Sequence, residues 1–129
     1  MEIRIRKITP SEAGAAEKYI RQECVKPKFM TKAKMSETTG LPESKCSRVL
    51  DTLKRTGLLQ MQYAIYCPEC RHLVHRQSYA HGIKRSGYTC PWCGGSVAYR
   101  KENLGRLYAP WDCRRMTLLE TVTLVSAAQ

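Results

Sequence analysis

The sequence predicts an α+β protein with a helical N-terminal half, a small β-rich segment after it and an apolar C-terminal segment. Three observations predict this class. Apolar residues recur at helical spacing over residues 46–53, and apolar residues alternate as in a strand over residues 59–65. Two C-x-x-C pairs follow that strand, at residues 67–70 and 90–93.

The first elements are a short strand and a helix. Ile3 and Ile5 alternate with charged residues, which is typical of a half-exposed strand. Ser11 is the predicted N-cap of the first helix, and Glu12 lies in its first turn, where the helix dipole favours an acidic side chain. We therefore predict a helix from Ser11 to about Glu23.

The next two helices are predicted to form a helix-turn-helix. Residues 31–39 contain good helix formers, and Gly40 supplies the positive φ that often ends a helix. Pro42 then begins a second helix at a position where it costs no hydrogen bond. That helix carries an apolar stripe formed by Cys46, Val49, Leu50 and Leu53. Two short helices joined by a glycine-containing turn are the helix-turn-helix motif.

The face opposite this stripe is predicted to contact DNA, because the second helix of the motif enters the major groove. At 100° per residue the outward positions are Ser44, Arg48, Asp51 and Arg55, with Lys45 and Ser47 beside them. Arg48 suits a guanine edge, and Ser44 suits a base or a phosphate. The alternative is a solvated face on which Asp51 pairs with the two arginines. Asp51 would also repel phosphate.

The four paired cysteines predict one structural Zn²⁺ site, with Cys67, Cys70, Cys90 and Cys93 as its ligands. The Gly after the second pair permits the positive φ that often follows such a turn. Four thiolates leave no coordination position for a reactive water, so catalytic zinc is not expected. Two disulfides, a thioredoxin-like redox pair and an iron–sulfur cluster are the alternatives.

Residues 67–110 are predicted to form a zinc ribbon with two hairpins. The first hairpin would pair Leu73-Val74 with Tyr88-Thr89, and the second would pair Val97–Tyr99 with Arg106–Tyr108. Basic residues lie beside tyrosines in the intervening loop, which suits phosphate contact and base stacking. The candidate contacts there are Arg76, Lys84 and Arg85. We expect Trp92 in the small core, and His72, His75 and His81 on the surface.

The N-terminal half resembles the winged-helix superfamily. The resemblance is carried by Met35–Leu41, with its Thr-Gly-Leu turn, and by Val49–Leu59, where a Leu-basic run leads to Gly-Leu. A winged helix followed by a four-cysteine ribbon also resembles the general transcription factor E family, through the domain order. The superfamily includes regulators, polymerase factors and protein-docking domains, so the resemblance implies DNA binding or docking on a protein.

One departure from the winged-helix pattern concerns the hairpin that usually follows the recognition helix. No Gly, Pro, Asn or Asp lies between Leu58 and Tyr66 to form a turn. We therefore expect a truncated wing, or a return strand supplied by Ile3–Ile5 or by the zinc segment.

The C-terminal segment, residues 111–129, is unusually apolar for a chain end. Leu118, Leu119, Val122 and Val125 would share one helical face, while the β-branched run 121–125 equally suits a strand. We favour the helix. Because either form must bury this surface, we expect it to pack on the first domain or on a second copy of the chain in a homodimer.

The composition favours a polyanionic partner. The 129-residue chain has a formal net charge of +11, which four thiolates and one Zn²⁺ would lower to about +9. Nucleic acid is the usual partner of so basic a chain. No apolar run is long enough to span a membrane, and the N-terminus lacks an apolar signal region, so we expect a cytoplasmic protein, associated with the nucleoid if the source is bacterial or archaeal.

Together these features predict a DNA-binding transcriptional regulator. It would comprise a winged helix-turn-helix (1–66), a zinc ribbon (67–110) and a C-terminal packing or dimerisation segment (111–129). Lys32 and Lys34 would join Lys45 in contacting the backbone of double-stranded DNA. The alternatives are an adaptor that docks on a larger machine such as RNA polymerase, and RNA or single-strand binding through the ribbon. We expect no enzyme activity, because no acid–base pair, phosphate loop or open metal site is found in the sequence.

Overall fold

A computed structural model describes residues 1–25, 29–78, 83–84, 86–98 and 100–127. The protein is mixed α+β, as predicted. In chain order its elements are β1 (Glu2–Ile5), α1 (Pro10–Glu23), α2 (Lys32–Thr39), α3 (Glu43–Arg55), β2 (Leu59–Tyr66), β3 (Leu73–Gln77), β4 (Tyr88–Thr89), β5 (Ser96–Val97), a 3₁₀ turn (Lys101–Asn103), β6 (Leu104–Pro110), α4 (Cys113–Glu120) and β7 (Thr123–Ser126). None of the described helices combines the length and apolar character needed to cross a membrane.

The chain divides into two compact units. The helical unit comprises Met1–Gln60 and Tyr108–Gln129, and the cysteine unit comprises Met61–Leu107. The predicted segments were 1–66, 67–110 and 111–129. The C-terminal segment does not stand apart, because its strand and helix pack on β1 and α1.

Helix α1 begins at Pro10, one residue earlier than predicted. Thr9, not Ser11, is the N-cap: its hydroxyl accepts a hydrogen bond from the Glu12 backbone N–H (3.1 Å), and the Glu12 carboxylate accepts one from the Thr9 backbone N–H (2.8 Å). This reciprocal pair is a capping box. Pro10 follows at a position where its missing N–H costs nothing. The prediction of Ser11 as the cap is therefore wrong.

Helices α2 and α3 confirm the predicted pair. Gly40, with φ 76°, ends α2, and its backbone N–H donates to the Ser36 carbonyl. The four predicted stripe residues of α3, Cys46, Val49, Leu50 and Leu53, are all fully buried. Burying such side chains contributes on the order of 1.5–3 kcal/mol each for Val and Leu, so this stripe holds α3 in place.

The C-terminal segment forms a helix and then a strand. Helix α4 ends at Glu120, so the helix predicted across Val122 and Val125 is wrong, and β7 pairs with β1 in parallel. The β-branched run 121–125 permits a helix or a strand, and pairing with β1 favours the strand. Arg21 also stabilises the C-terminal segment, because its guanidinium donates two hydrogen bonds to the Val122 carbonyl, at 2.8 and 2.9 Å. Leu119, Val122 and Leu124 are buried within one chain, so this segment packs on the first domain, which is one of the two predicted alternatives.

The described residues of the cysteine unit contribute to two β-sheets. One sheet has the order β3-β2-β6, and β4 pairs with β5 antiparallel. Both predicted hairpins are wrong: β3 pairs with β2, not with β4, and β5 pairs with β4, not with β6. Each C-x-x-C pair lies between the two strands that pair, so each cysteine turn reverses its own hairpin. Tyr99 lies outside the described residues.

Strand β6 occupies the place beside β2 that the sequence left open. Tyr108 of β6 also forms an antiparallel bridge with Met30, and both backbone hydrogen bonds of that bridge are short, at 2.7 and 2.9 Å. The strand next to β2 therefore comes from the end of the predicted zinc segment, and β1 pairs elsewhere.

Candidate metal centre and candidate nucleic-acid interface

The two C-x-x-C turns have the same backbone pattern. In the first, the Arg71 N–H donates to the Cys67 carbonyl (2.8 Å) and the Cys67 N–H donates to the His72 carbonyl (3.0 Å). In the second, Gly94 donates to Cys90 (2.9 Å) and Cys90 donates to the Gly95 carbonyl (2.8 Å). Gly94 has φ 77°, as predicted for the residue after the pair, and Arg71 takes the same region with φ 62°. The left-handed conformation costs a residue with a side chain roughly 1–2 kcal/mol, which the first turn tolerates.

The four sulfur atoms lie where one metal ion requires them. All four Sγ atoms of Cys67, Cys70, Cys90 and Cys93 are within 4.8 Å of one another. The Cys67–Cys93 and Cys70–Cys90 sulfur distances are 3.6 and 3.5 Å. A tetrahedral ion with metal–sulfur bonds of about 2.3 Å places its ligands about 3.8 Å apart. A disulfide requires about 2.05 Å, so neither cross-pair is one, and all four are free cysteines.

The backbone lowers the pKa of Cys67 and Cys90 but not that of their two partners. A hydrogen bond from the Cys70 backbone lowers the pKa of the Cys67 thiol. Burial alone would raise the pKa of Cys90, but the backbone N–H groups of Cys93 and Trp92 outweigh it and lower the pKa to about 7. Because metals bind thiolates, these N–H groups suit a metal site. For Cys70 a hydrogen bond from the His72 backbone is outweighed by burial and by the other sulfurs, which raise the pKa to about 12. For Cys93 a hydrogen bond from the Gly95 backbone is outweighed in the same way, chiefly by the Cys67 sulfur, and the pKa is raised. The donor set fits the predicted Zn²⁺, which would link the two turns.

The surroundings of the cysteines differ from the prediction in one respect. Cys67 and Cys90 are buried in a cluster with Ile65, Ile83 and Val97. Trp92, expected in this core, is 66% exposed, because it lies at the tip of the second turn.

The two described ribbon histidines lie outside the ligand set, as predicted. His72 is exposed and stacks on Trp92, whereas His75 is half-buried, stacks on Tyr88 and bonds to the Gln77 side chain (2.7 Å). His81 lies outside the described residues.

The predicted recognition face of α3 forms a shallow open depression of about 210 Å³. Its lining residues are Ser44, Ser47, Arg48, Asp51 and Arg55. Ser44 and Arg55 are exposed and Arg48 is half-buried. Within the described part of the chain the Arg48 side chain makes no hydrogen bond or ion pair, whereas the Arg55 Nε reaches the Asp51 carbonyl at 3.4 Å. The angular calculation therefore places these residues correctly on one face.

Three residues of this face have partners within the protein. The Tyr108 hydroxyl donates to one oxygen of Asp51 at 2.6 Å, and the Ser47 hydroxyl reaches the other at 3.4 Å. The Lys45 ammonium pairs with Glu12 of the capping box at 2.6 Å. The hydrogen bond from the Lys45 ammonium is the main reason why the pKa of Glu12 is lowered. The structure thus gives Lys45 and Asp51 contacts with distant residues that no local sequence signal indicates, whereas the Ser47–Asp51 contact lies within α3.

The remaining candidate residues are dispersed. Lys32 and Lys34 are exposed on the first turn of α2, where the Thr31 hydroxyl accepts from the Lys34 backbone N–H (3.1 Å). In the cysteine unit Arg76 is exposed on β3, and the Lys84 ammonium lies 5.7 Å from the centre of the Tyr88 ring. Arg85 lies outside the described residues.

The three cysteines outside the turns, Cys24, Cys46 and Cys113, are free. Burial raises the pKa of Cys24 and of Cys46, so both remain protonated at neutral pH. Cys113 is exposed.

Comparisons of the chain with known protein families, with curated proteins and with solved structures found no match.

Proposed function

We propose that this protein is a DNA-binding transcriptional regulator that places α3 in the major groove of duplex DNA. The observation that carries the proposal is the division of α3 into two faces. One face is a fully buried apolar stripe, and the other presents Ser44, Arg48 and Arg55. A helix fixed on one side and cationic on the other suits groove binding.

Arg48 is the residue best suited to base recognition. It lies in the middle of the outward row, and its guanidinium has no partner among the described residues. A free guanidinium can donate two parallel hydrogen bonds to the O6 and N7 atoms of guanine. Lys32 and Lys34, exposed on α2, would contact phosphates and so fix the position of α3 without reading sequence.

Asp51 does not argue strongly against DNA binding. Its two oxygens accept hydrogen bonds from Tyr108 and Ser47, and it lies three residues after Arg48 and four before Arg55. We assign it a structural role, in which it ties α3 to β6. Lys45, which pairs with Glu12, likewise supports the fold and contributes little to the interface.

The arrangement of strands supports the winged-helix interpretation. A wing needs a second strand beside the one that follows the recognition helix, and β6 lies beside β2. In chain order the two cysteine turns and strands β3 to β5 lie between these two strands. The proposed Zn²⁺ would therefore be structural, because it would hold together a unit that has a small apolar core.

The test is a binding titration with duplexes selected from a random library. Arg48→Ala should weaken the selected duplex by about 5- to 150-fold and relax preference at one base pair. Lys32→Ala should weaken all duplexes alike and reduce the salt slope by about 1. Lys18→Ala removes a charge from α1 and is the matched control, with no change in preference expected. A duplex affinity that is independent of salt, or unchanged in the Arg48→Ala, Arg55→Ala double variant, would contradict the proposal.

The alternative function, an adaptor that docks on a machine such as RNA polymerase, is favoured by one observation. Trp111 of the helical unit is 57% exposed, and exposed tryptophans often anchor protein interfaces. Co-purification of a partner that is lost in Trp111→Ala, together with no duplex binding at low salt, would decide for the adaptor.

A further inference from the structure

Trp92 is held in an exposed position by a rigid turn. It lies between Cys90 and Cys93, and the turn is closed by two backbone hydrogen bonds of 2.8 and 2.9 Å. A tryptophan ring normally buries a large apolar area, yet this one is 66% exposed. Because the turn already restricts the ring, binding a ligand there would cost little conformational entropy.

One face of Trp92 is occupied within the protein. His72, which follows the first cysteine turn, stacks on it with ring centres 4.6 Å apart and an interplanar angle of 22°. A ring that is stacked on one side and still two-thirds exposed presents its other side to solvent. The two cysteine turns thus build a short aromatic stack that a further flat ring can extend.

A second stacked pair lies in the same unit. His75 and Tyr88 have ring centres 4.8 Å apart at 18°, and the Lys84 ammonium lies 5.7 Å from the Tyr88 ring centre. Tyr88 and Lys84 also line an open depression of about 400 Å³ with Ser86, Thr89 and Ser96. Ligand sites begin at about 300 Å³, so the depression can take one nucleotide.

The charge of the cysteine unit points to the chemistry of the ligand. Residues 61–107 contain seven Lys and Arg against two Asp and Glu. A Zn²⁺ ion bound by four thiolates would lower the net charge of these residues to about +3. Arg71, next to the first turn, and Lys84 are both exposed. Flat aromatic rings among cationic side chains suit a polyanion that carries flat rings, which is a nucleic acid.

We propose that the cysteine unit binds single-stranded nucleic acid, with an unpaired base stacked on Trp92 and phosphates drawn to the neighbouring cations. Bases in a duplex are already stacked on one another and offer no free face, so an exposed ring selects unpaired bases. The residues of this site belong to the cysteine unit, and none of them lies on α3.

The test uses the zinc-loaded 129-residue chain with Trp111→Phe, which leaves Trp92 as the single tryptophan of the two in the chain. Oligothymidine and oligouridine of about 15 nucleotides cover the usual site sizes and distinguish DNA from RNA as the preferred strand. Saturable quenching of Trp92 fluorescence by at least one of them is expected. Trp92→Ala, followed by anisotropy of a labelled strand, should weaken binding by about 10- to 100-fold, and Trp92→Phe should recover part of the loss.

The controls separate this site from the duplex site. Arg48→Ala should leave single-strand affinity unchanged, whereas Trp92→Ala should leave duplex affinity unchanged. Metal content and circular dichroism check that Trp92→Ala is folded, which its exposure favours. Three results would overturn the proposal: Trp92 fluorescence that does not respond at saturation, equal affinity of Trp92→Ala and the parent, or equal competition by a duplex of the same length. Burial of Trp92 by a protein partner without any response to either strand would also overturn it.

Discussion

The contact between Tyr108 and Asp51 yields a quantitative prediction, because it joins the outward face of α3 to a strand far away in sequence. Tyr108 is 2% exposed, and its hydroxyl donates to the Asp51 carboxylate at 2.6 Å across 57 residues. A hydrogen bond to a charged group contributes about 1.5–3 kcal/mol, and water recovers part of this at the half-buried Asp51. Tyr108→Phe should therefore lower the free energy of unfolding by about 1.5 kcal/mol, or Tm by about 6–12 °C for a unit of this size.

The assay is urea unfolding followed by Trp111 fluorescence in a Trp92→Phe background, so that the signal comes from the helical unit. Tyr19→Phe is the matched control: Tyr19 is also 2% exposed, and no hydrogen bond of its hydroxyl is found among the described residues. A cycle with Asp51→Ala isolates the pair, with an expected coupling of about 1 kcal/mol. A coupling below about 0.3 kcal/mol, or an equal loss in Tyr19→Phe, would refute the assigned role of Asp51.

Three further predictions concern the metal, the capping box and the core. Cys70→Ser should abolish binding of one equivalent of metal, which inductively coupled plasma mass spectrometry measures, and full metal content in the variant would contradict the four-sulfur site. The pKa of Glu12 is lowered, chiefly by Lys45, so the stabilisation is present above its ordinary value of 4.5 and is lost as the pH falls through the lower folded value. Lys45→Met should therefore flatten the acid side of the stability profile in urea unfolding, and an unchanged profile would show that the pair contributes nothing. Leu50→Ala, at a fully buried position, should cost about 2–5 kcal/mol by the same measurement, and a cost below about 1 kcal/mol would mean that the stripe does not hold α3.

The elements that the sequence predicted well are those specified by local spacing. The stripe of α3 follows from a period of 3.6 residues, and the two cysteine turns follow from the two C-x-x-C pairs; neither needs knowledge of a distant partner. The N-cap of α1 was predicted wrongly although its signal is local. Thr9 and Glu12 form the Thr-x-x-Glu pattern of a capping box, which can be read from the sequence.

Strand partners were predicted poorly because short strands carry little pattern. Strands β4 and β5 have two residues each, and nothing in them specifies a register. Their pairing follows from the cysteine turn that lies between them. The form of residues 121–125 likewise depended on β1, which lies at the other end of the chain.

By itself, the sequence determined the α+β class, the two short helices with their buried stripe, and the two C-x-x-C turns, because each of these depends on local spacing. Only the tertiary structure decided which side chains of the outward face remain free. Lys45 pairs with Glu12, 33 residues away, and Asp51 bonds to Tyr108, 57 residues away, while the Arg48 side chain makes no hydrogen bond or ion pair among the described residues. The tertiary structure also places Trp92 at the surface, whereas the sequence led us to expect it in the core. Such outcomes depend on how distant segments pack, and a local pattern contains no information about its distant neighbours.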